Sequence, residues 1–212
     1  MATTKKEQKT QTRHQLLQAG LRLSAEKGFS GLSIREVTSS AGITPAAFYK
    51  HFHDMEELGL AMLDEVGLSL RRMLRDARKR VEPGPDAIIV SVEAFLSFVH
   101  DNSNLFRLLL GERQGATSAF RKAIHNEMDR FVAELADDLE RLQNNIERPL
   151  MNPALAAESI VAVSFTLGAE ALDLPKHKQS GLIERIVYHI QTILRGSVKK
   201  GQVRRKVKRK KN

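Results

Sequence analysis

The sequence predicts an all-α protein, a three-helix head containing a helix-turn-helix followed by a larger helical body. Three observations carry this. Apolar residues recur at spacings of three and four along most of the 212 residues, the period of one helix face. No segment alternates apolar and polar residues between hairpin turns, as half-buried strands would. The stretch SIREVTSSAGITPAAFYKHF, Ser33 to Phe52, gathers cap, turn and restart signals for two short helices.

The first helix is expected over Lys5 to Lys27, with Leu16, Leu17, Ala19, Leu21 and Leu23 on one face and Gly28 as its stop. Ser33 with Glu36 three residues later forms a capping box that starts the second helix. Ala41-Gly42-Ile43 ends it, the glycine supplying a left-handed residue that a Cβ would make costly. Thr44 and Pro45 restart the chain, an N-cap followed by a residue pre-set for the first helical position. Helix, glycine turn and helix is the geometry that lays a recognition helix in the major groove.

Asp54 with Glu57 caps a long fourth helix that runs toward Arg80, its last turns crowded with Arg71, Arg72, Arg75, Arg78 and Lys79, where cations complement the helix dipole. Glu82-Pro83-Gly84-Pro85 breaks the chain. Helices are then expected from Asp86 to about Asp101, over Leu105 to Leu110, from Gln114 to Gln143, from Ala154 to Leu172 and from Leu182 to Leu194. The apolar stripe of the last two is wider than one contact needs, which points to a subunit interface through them. The pattern divides the chain into a helix-turn-helix head, 1–53, a helical body, 54–198, to which the resemblance described below assigns effector binding and dimerisation, and a basic tail, 199–212, that is too charged to order itself.

Charge separates along the same divisions. The formal net charge of +9 conceals eight basic and three acidic residues up to His53, sixteen and twenty-two from Asp54 to Leu194, and ten basic with none acidic from Arg195 onward. A basic head on an acidic body suits a polyanion-binding module. No apolar run approaches the roughly 18 to 20 residues that span a bilayer, and Met1 to Thr12 is polar and lysine-rich, so neither a membrane segment nor a signal peptide is expected; the reading is cytoplasmic. There is no cysteine, hence no disulfide or thiolate site. No nucleophile elbow, phosphate-binding glycine loop or metal-ligand helix appears, so no catalytic residue, cofactor or metal is assigned. His51-x-His53 lacks further ligands at helical spacing and reads as structural or DNA-facing.

With the helices placed, the chain resembles the TetR family of transcriptional regulators. The likeness rests on Gly28-Phe29, Leu32-Ser33-Ile34, Val37, Ala41-Gly42-Ile43 and Phe48-Tyr49-Lys50-His51-Phe52, followed by an acidic helix start. Four body segments, Asp54 to Leu70, Leu105 to Gly115, Phe131 to Leu139 and Phe165 to Asp173, are similar to the repressors of unsaturated fatty acid biosynthesis within it. The resemblance implies a homodimer on a palindromic double-stranded operator. It further implies a long-chain acyl thioester, on coenzyme A or acyl carrier protein, as effector, the unsaturated form favouring operator binding and the saturated form opposing it. A regulator of an efflux pump, answering to a cationic or aromatic compound, remains the other reading, and a purely structural DNA-bridging protein a third.

Phe48 and Phe52, four apart, should face the head's core. Thr44, Ala46, Tyr49, Lys50 and His51 are then left for the groove and its rims. Lys50 can reach a phosphate or a guanine edge, Ala46 a thymine methyl, and the others phosphate oxygens; Ser33, Arg35 and Thr38 are candidates for backbone contacts. In the body, Phe95, Phe98, Phe106, Leu109, Phe131 and Phe165 either line an acyl pocket or form ordinary core. Arg107 and Arg113 either meet the phosphates of a thioester carrier or pair with neighbouring acids. The basic tail either adds sequence-independent attraction to DNA or serves only solubility.

Overall fold

A computed structural model describes residues 5–80, 85–104, 106–107, 109–110, 118–143 and 149–198. Eight α-helices run through them: α1 (Lys5–Lys27), α2 (Ile34–Ala41), α3 (Pro45–Phe48), α4 (Met55–Lys79), α5 (Pro85–Asp101), α6 (Ser118–Gln143), α7 (Pro153–Gly168) and α8 (Ser180–Gly196). Residues 103–104, 106–107 and 109–110 are also helical, while the expected start of α6 at Gln114, the break at 82–84 and the basic tail lie outside the described residues. Short 3₁₀ turns, Ala169–Leu172 and Lys176–Lys178, join α7 to α8. The all-α architecture stands; pairing outside helices is confined, among the described residues, to one bridge between Leu150 and Val198.

Two apolar cores share α4. The lower one joins Leu16, Leu17, Val37, Phe48 and Phe52 of the head to Leu58, Met62 and Leu63 of α4 and to Phe120 and Ile124 of α6. Gly59 of α4 lies under the meeting of Phe29 and Phe120, whose ring centroids are 5.1 Å apart, and a Cβ there would collide with both rings. Head, connecting helix and body therefore touch at one point. The upper core packs Phe95, Phe98, Val99, Phe106, Phe131, Phe165 and Ile186 among α5 to α8.

The bilayer expectation needs correcting in one respect. Pro153–Leu172 is long and apolar enough to span a membrane by composition, with mean hydropathy 1.5 and a third of its best window buried. Glu158, Ser159 and Ser164 interrupt any apolar run, but averaging over eighteen residues passes across them. The helix packs against α6 and α8; Leu155 on it and Tyr188 on α8 are 59% and 67% exposed.

Candidate functional site

The head's turn is built by local hydrogen bonds. The Ser33 hydroxyl accepts from the Glu36 N–H at 3.3 Å while the Glu36 carboxylate accepts from the Ser33 N–H at 2.9 Å, closing the box at the start of α2. Lys27 also reaches Glu36. Its hydrogen bond, followed by those from Ser33, pulls the carboxyl down to a pKa of about 2. At the other end Gly42 is left-handed (φ 68°), and the Ile43 N–H returns to the Thr38 carbonyl at 2.9 Å. Thr44 then caps α3 by accepting from the Ala47 N–H at 3.3 Å.

The second helix of the motif is shorter than its apolar spacing suggests. Helical geometry stops at Phe48, and Lys50 and His51 continue in tight turns whose N–H groups bond three residues back, to Ala47 and Phe48. Phe48 and Phe52 are buried and root this piece, leaving Ser33, Arg35, Thr44, Ala46, Tyr49 and Lys50 exposed around it. Tyr49 is 61% exposed.

Thr38 does not belong with them. It is 1% exposed, and its hydroxyl bonds back to the carbonyls of Ile34 (2.8 Å) and Arg35 (3.1 Å), so it is a core residue of α2 and offers nothing to a phosphate. His51 is half-buried, with Nδ1 enclosed and unpartnered. Burial first, then the charges of Lys9, Arg13 and Lys50, lower its pKa, which favours a neutral ring on this surface.

Those same cations reveal a contribution the motif alone omits. Arg13 lies over the Phe52 ring at 4.8 Å and, with Lys9, acts on His51 beside Lys50. The polar first half of α1 thus extends the basic surface past the turn. Its sequence signal is Lys5, Lys9 and Arg13, spaced by four on one helix side.

Within the body, α4 to α8 enclose a cavity of about 670 Å³. Phe95, Phe131 and Phe165 line it together with Leu74, Val92, Leu135, Leu139, Ile160, Ile190 and Leu194. Phe106 and Phe98 stand behind that wall: Phe106 is stacked on Phe165 at 5.7 Å and meets Phe98 edge-on at 6.5 Å. Leu109 packs between the two cores rather than on the cavity wall. Arg107 is turned away, bonded to the Leu172 carbonyl at 3.2 Å and to Asp173 at 3.3 Å. Arg113 lies outside the described residues.

The polar lining is the part that sequence reading missed. Arg71, Arg78, Arg141 and Arg195 face the cavity with Glu134 and Asp138. Most belong to a ladder between α4 and α6: Arg71 binds Glu127 and, at 3.2 Å, Glu134; Arg75 binds Glu134 at 2.9 Å; Arg78 binds Asp138 at 2.7 Å. Arg141 holds Asp138 from the same helix. The arginines crowded at the end of α4 thus serve partners across the bundle, beyond any complement to the helix dipole. Among the described residues no group of three or more metal-ligating side chains comes together.

A capped helix-turn-helix with an exposed basic reading surface, carried on a helical body, defines a DNA-binding transcriptional regulator. Residues 16–62 match the family described as bacterial regulatory proteins, tetR family, and residues 86–193 match the tetracyclin repressor-like C-terminal domain. The chain belongs to the TetR family. Solved structures share its fold: a transcriptional regulator from Rhodococcus sp. Rha1 (19% identity, 87% of this chain and 97% of that one, TM-score 0.71), the reduced form of E. coli NemR (22%, 91% and 100%, TM-score 0.67), and the fatty acid degradation regulator FadR from Bacillus halodurans (15%, 91% and 96%, TM-score 0.71). At these identities the likeness is one of fold.

Proposed function

We propose that this regulator is a repressor that binds a palindromic operator as a homodimer and controls unsaturated fatty acid biosynthesis genes in response to long-chain acyl thioesters, in the manner of FabR. The observation that carries the reading is the cavity of about 670 Å³, walled by phenylalanine and branched aliphatic side chains, which suits a flexible hydrocarbon chain. The Bacillus halodurans protein of the same fold is a fatty acid degradation regulator, which accords with an acyl ligand in such a body. Residues 1–53 read DNA in this proposal, with Ser33, Arg35, Thr44, Ala46, Tyr49, Lys50 and the free edge of His51 as the contact set. Residues 54–198 bind the effector, with Phe95, Phe131 and Phe165 at the chain. A second copy binds through α7 and α8 in this proposal, supported by the exposed Leu155 on α7 and Tyr188 on α8, and the cytoplasm is the site of action.

Glu134 and Asp138 favour a second reading, since carboxylates in a cavity attract cationic compounds of the kind that efflux regulators sense. Both, however, are engaged by arginines, and four arginines face the cavity against those two acids.

The test begins by selecting a preferred DNA from a random pool with the full chain. Fluorescence anisotropy of that DNA is then titrated with oleoyl-CoA, palmitoyl-CoA and rhodamine 6G. A shift in DNA affinity with the thioesters supports the proposal. A shift with the dye alone transfers the function to efflux control, and a pool that yields no preferred sequence points to DNA bridging.

A further inference from the structure

The cavity is polarised along the long helices. Its inner end lies toward the head, where Arg71 is closed in beside Phe131 at 5.7 Å, with Phe95 and Phe165 completing an aromatic floor. Its outer end lies two turns further along α4, about 10 Å away, where the C-terminal parts of α4, α6 and α8 bring Arg78, Arg141 and Arg195 together. Arg141 and Leu142 are exposed there, and the Leu150–Val198 bridge crosses beside them. This is the mouth.

Among the described residues, the three arginines at the mouth face one carboxylate there, Asp138. Asp138 is held twice, by Arg78 at 2.7 Å through one oxygen and by Arg141 through the other. Arg195 has no carboxylate partner among the described residues. Arg78 is only half satisfied: its Nη2 donates to Asp138, while Nε is buried without an acceptor. Nε–H and the adjacent Nη2–H form the side-on fork with which arginine binds a carboxylate or phosphate through two parallel hydrogen bonds. One tine is occupied and the other is empty, inside a wall where an unmet N–H is costly.

We propose that Asp138 is a resident counter-ion, displaced when an amphiphile enters tail-first and sets its anionic group on the Arg78 fork. The inference rests on the acyl reading of the cavity and specifies which end of the ligand is recognised and what it replaces. The hydrocarbon tail runs inward to Phe95, Phe131 and Phe165. The anion completes both tines of Arg78 and draws on Arg141 and Arg195, whose excess charge Asp138 alone does not neutralise. Asp138 belongs to α6 and Arg78 to α4, so the exchange also opens the outermost rung between these helices while the Arg71 rungs stay closed. Either a carboxylate or the phosphates of a thioester carrier supply the required chemistry.

Calorimetric titration of the full chain with oleate, oleoyl-CoA and the uncharged oleyl alcohol separates these sources. An anionic probe should bind about tenfold tighter than the alcohol, and Arg78→Gln should remove that advantage while sparing the alcohol. Asp138→Asn, which keeps a polar group but no competing charge, should tighten the anionic probe several-fold, a gain that misfolding cannot produce. Preference for oleate identifies a carboxylate as the recognised group and preference for oleoyl-CoA a phosphate. If the alcohol binds as tightly as both anions, or Asp138→Asn gains nothing, the counter-ion exchange is wrong while the acyl cavity stands. If none of the three probes binds, the acyl reading falls with it.

Discussion

The guanidinium of Arg71 in α4 donates to the carboxylate of Glu127 in α6, a pair 56 residues apart in the chain with side chains only 10% and 5% exposed. Glu127 sits on the buried stripe of α6 between Ile124 and Phe131, where a hydrocarbon would be expected. Removing one partner of such a pair leaves an uncompensated buried charge, although Arg71 retains Glu134. Glu127→Ala should therefore cost roughly 3 kcal/mol, at the lower end for buried pairs, and lower the melting midpoint by roughly 6 to 12 °C. Arg71→Met combined with Glu127→Leu should recover most of the loss, as thermal denaturation would show.

Gly59→Ala tests the point where head, α4 and body meet. The added methyl collides with Phe29 and Phe120, and neither ring can swing clear without leaving the lower core. A loss of about 1 to 3 kcal/mol is expected from overpacking. Under the proposed function, acyl thioesters should also change operator affinity less in this variant than in the wild type, read by anisotropy at a temperature where both are folded.

Tyr49→Ala and Lys50→Ala should each weaken operator binding without lowering the melting temperature, because both side chains are exposed. Losing the Lys50 charge should also reduce the slope of log affinity against log salt by about 1, and Arg13→Ala should do the same if α1 touches phosphates. Thr38→Val should behave in the opposite way, altering stability with DNA affinity per folded molecule unchanged. Full-affinity binding by both the Tyr49 and Lys50 variants would remove the assignment.

Glu36 makes the head acid-sensitive in a defined direction. Its folded pKa, about 2, lies below the unfolded value of 4.5, with Lys27 and then Ser33 as the causes. A depressed carboxyl contributes stability that is fully present above the unfolded pKa and is lost as pH falls through the folded one. The melting temperature should therefore decline between pH 4.5 and 2, and Glu36→Gln should flatten that part of the profile while starting from a lower plateau.

Much of the head could be read from sequence because its instructions are local. Ser33 and Glu36, Gly42, and Thr44 with Pro45 each act within four residues. The brevity of α3 escaped that reading, since Phe48 and Phe52 reach the core equally well from a helix or from successive turns. Thr38 escaped it because a threonine can bury its hydroxyl against the carbonyl four residues back. The cavity was half visible. Phe95, Phe131 and Phe165 announced an apolar interior, but Arg71, Arg78 and Asp138 acquire their roles only from helices that meet across the bundle. Arg107, attractive for its neighbours in the chain, is turned toward Asp173 instead.

The lower core also bears on how such regulators diversify. Phe120 and Ile124 of the body are sealed into the same cluster as Val37 and Phe48 of the head. A gene exchange that swapped only the first 53 residues would place an unfamiliar apolar surface on this socket, and the chimera would have to re-fit it. A workable graft would carry the first turns of α4 and α6 along with the head, so a change of operator and a change of effector are inherited across a shared seam.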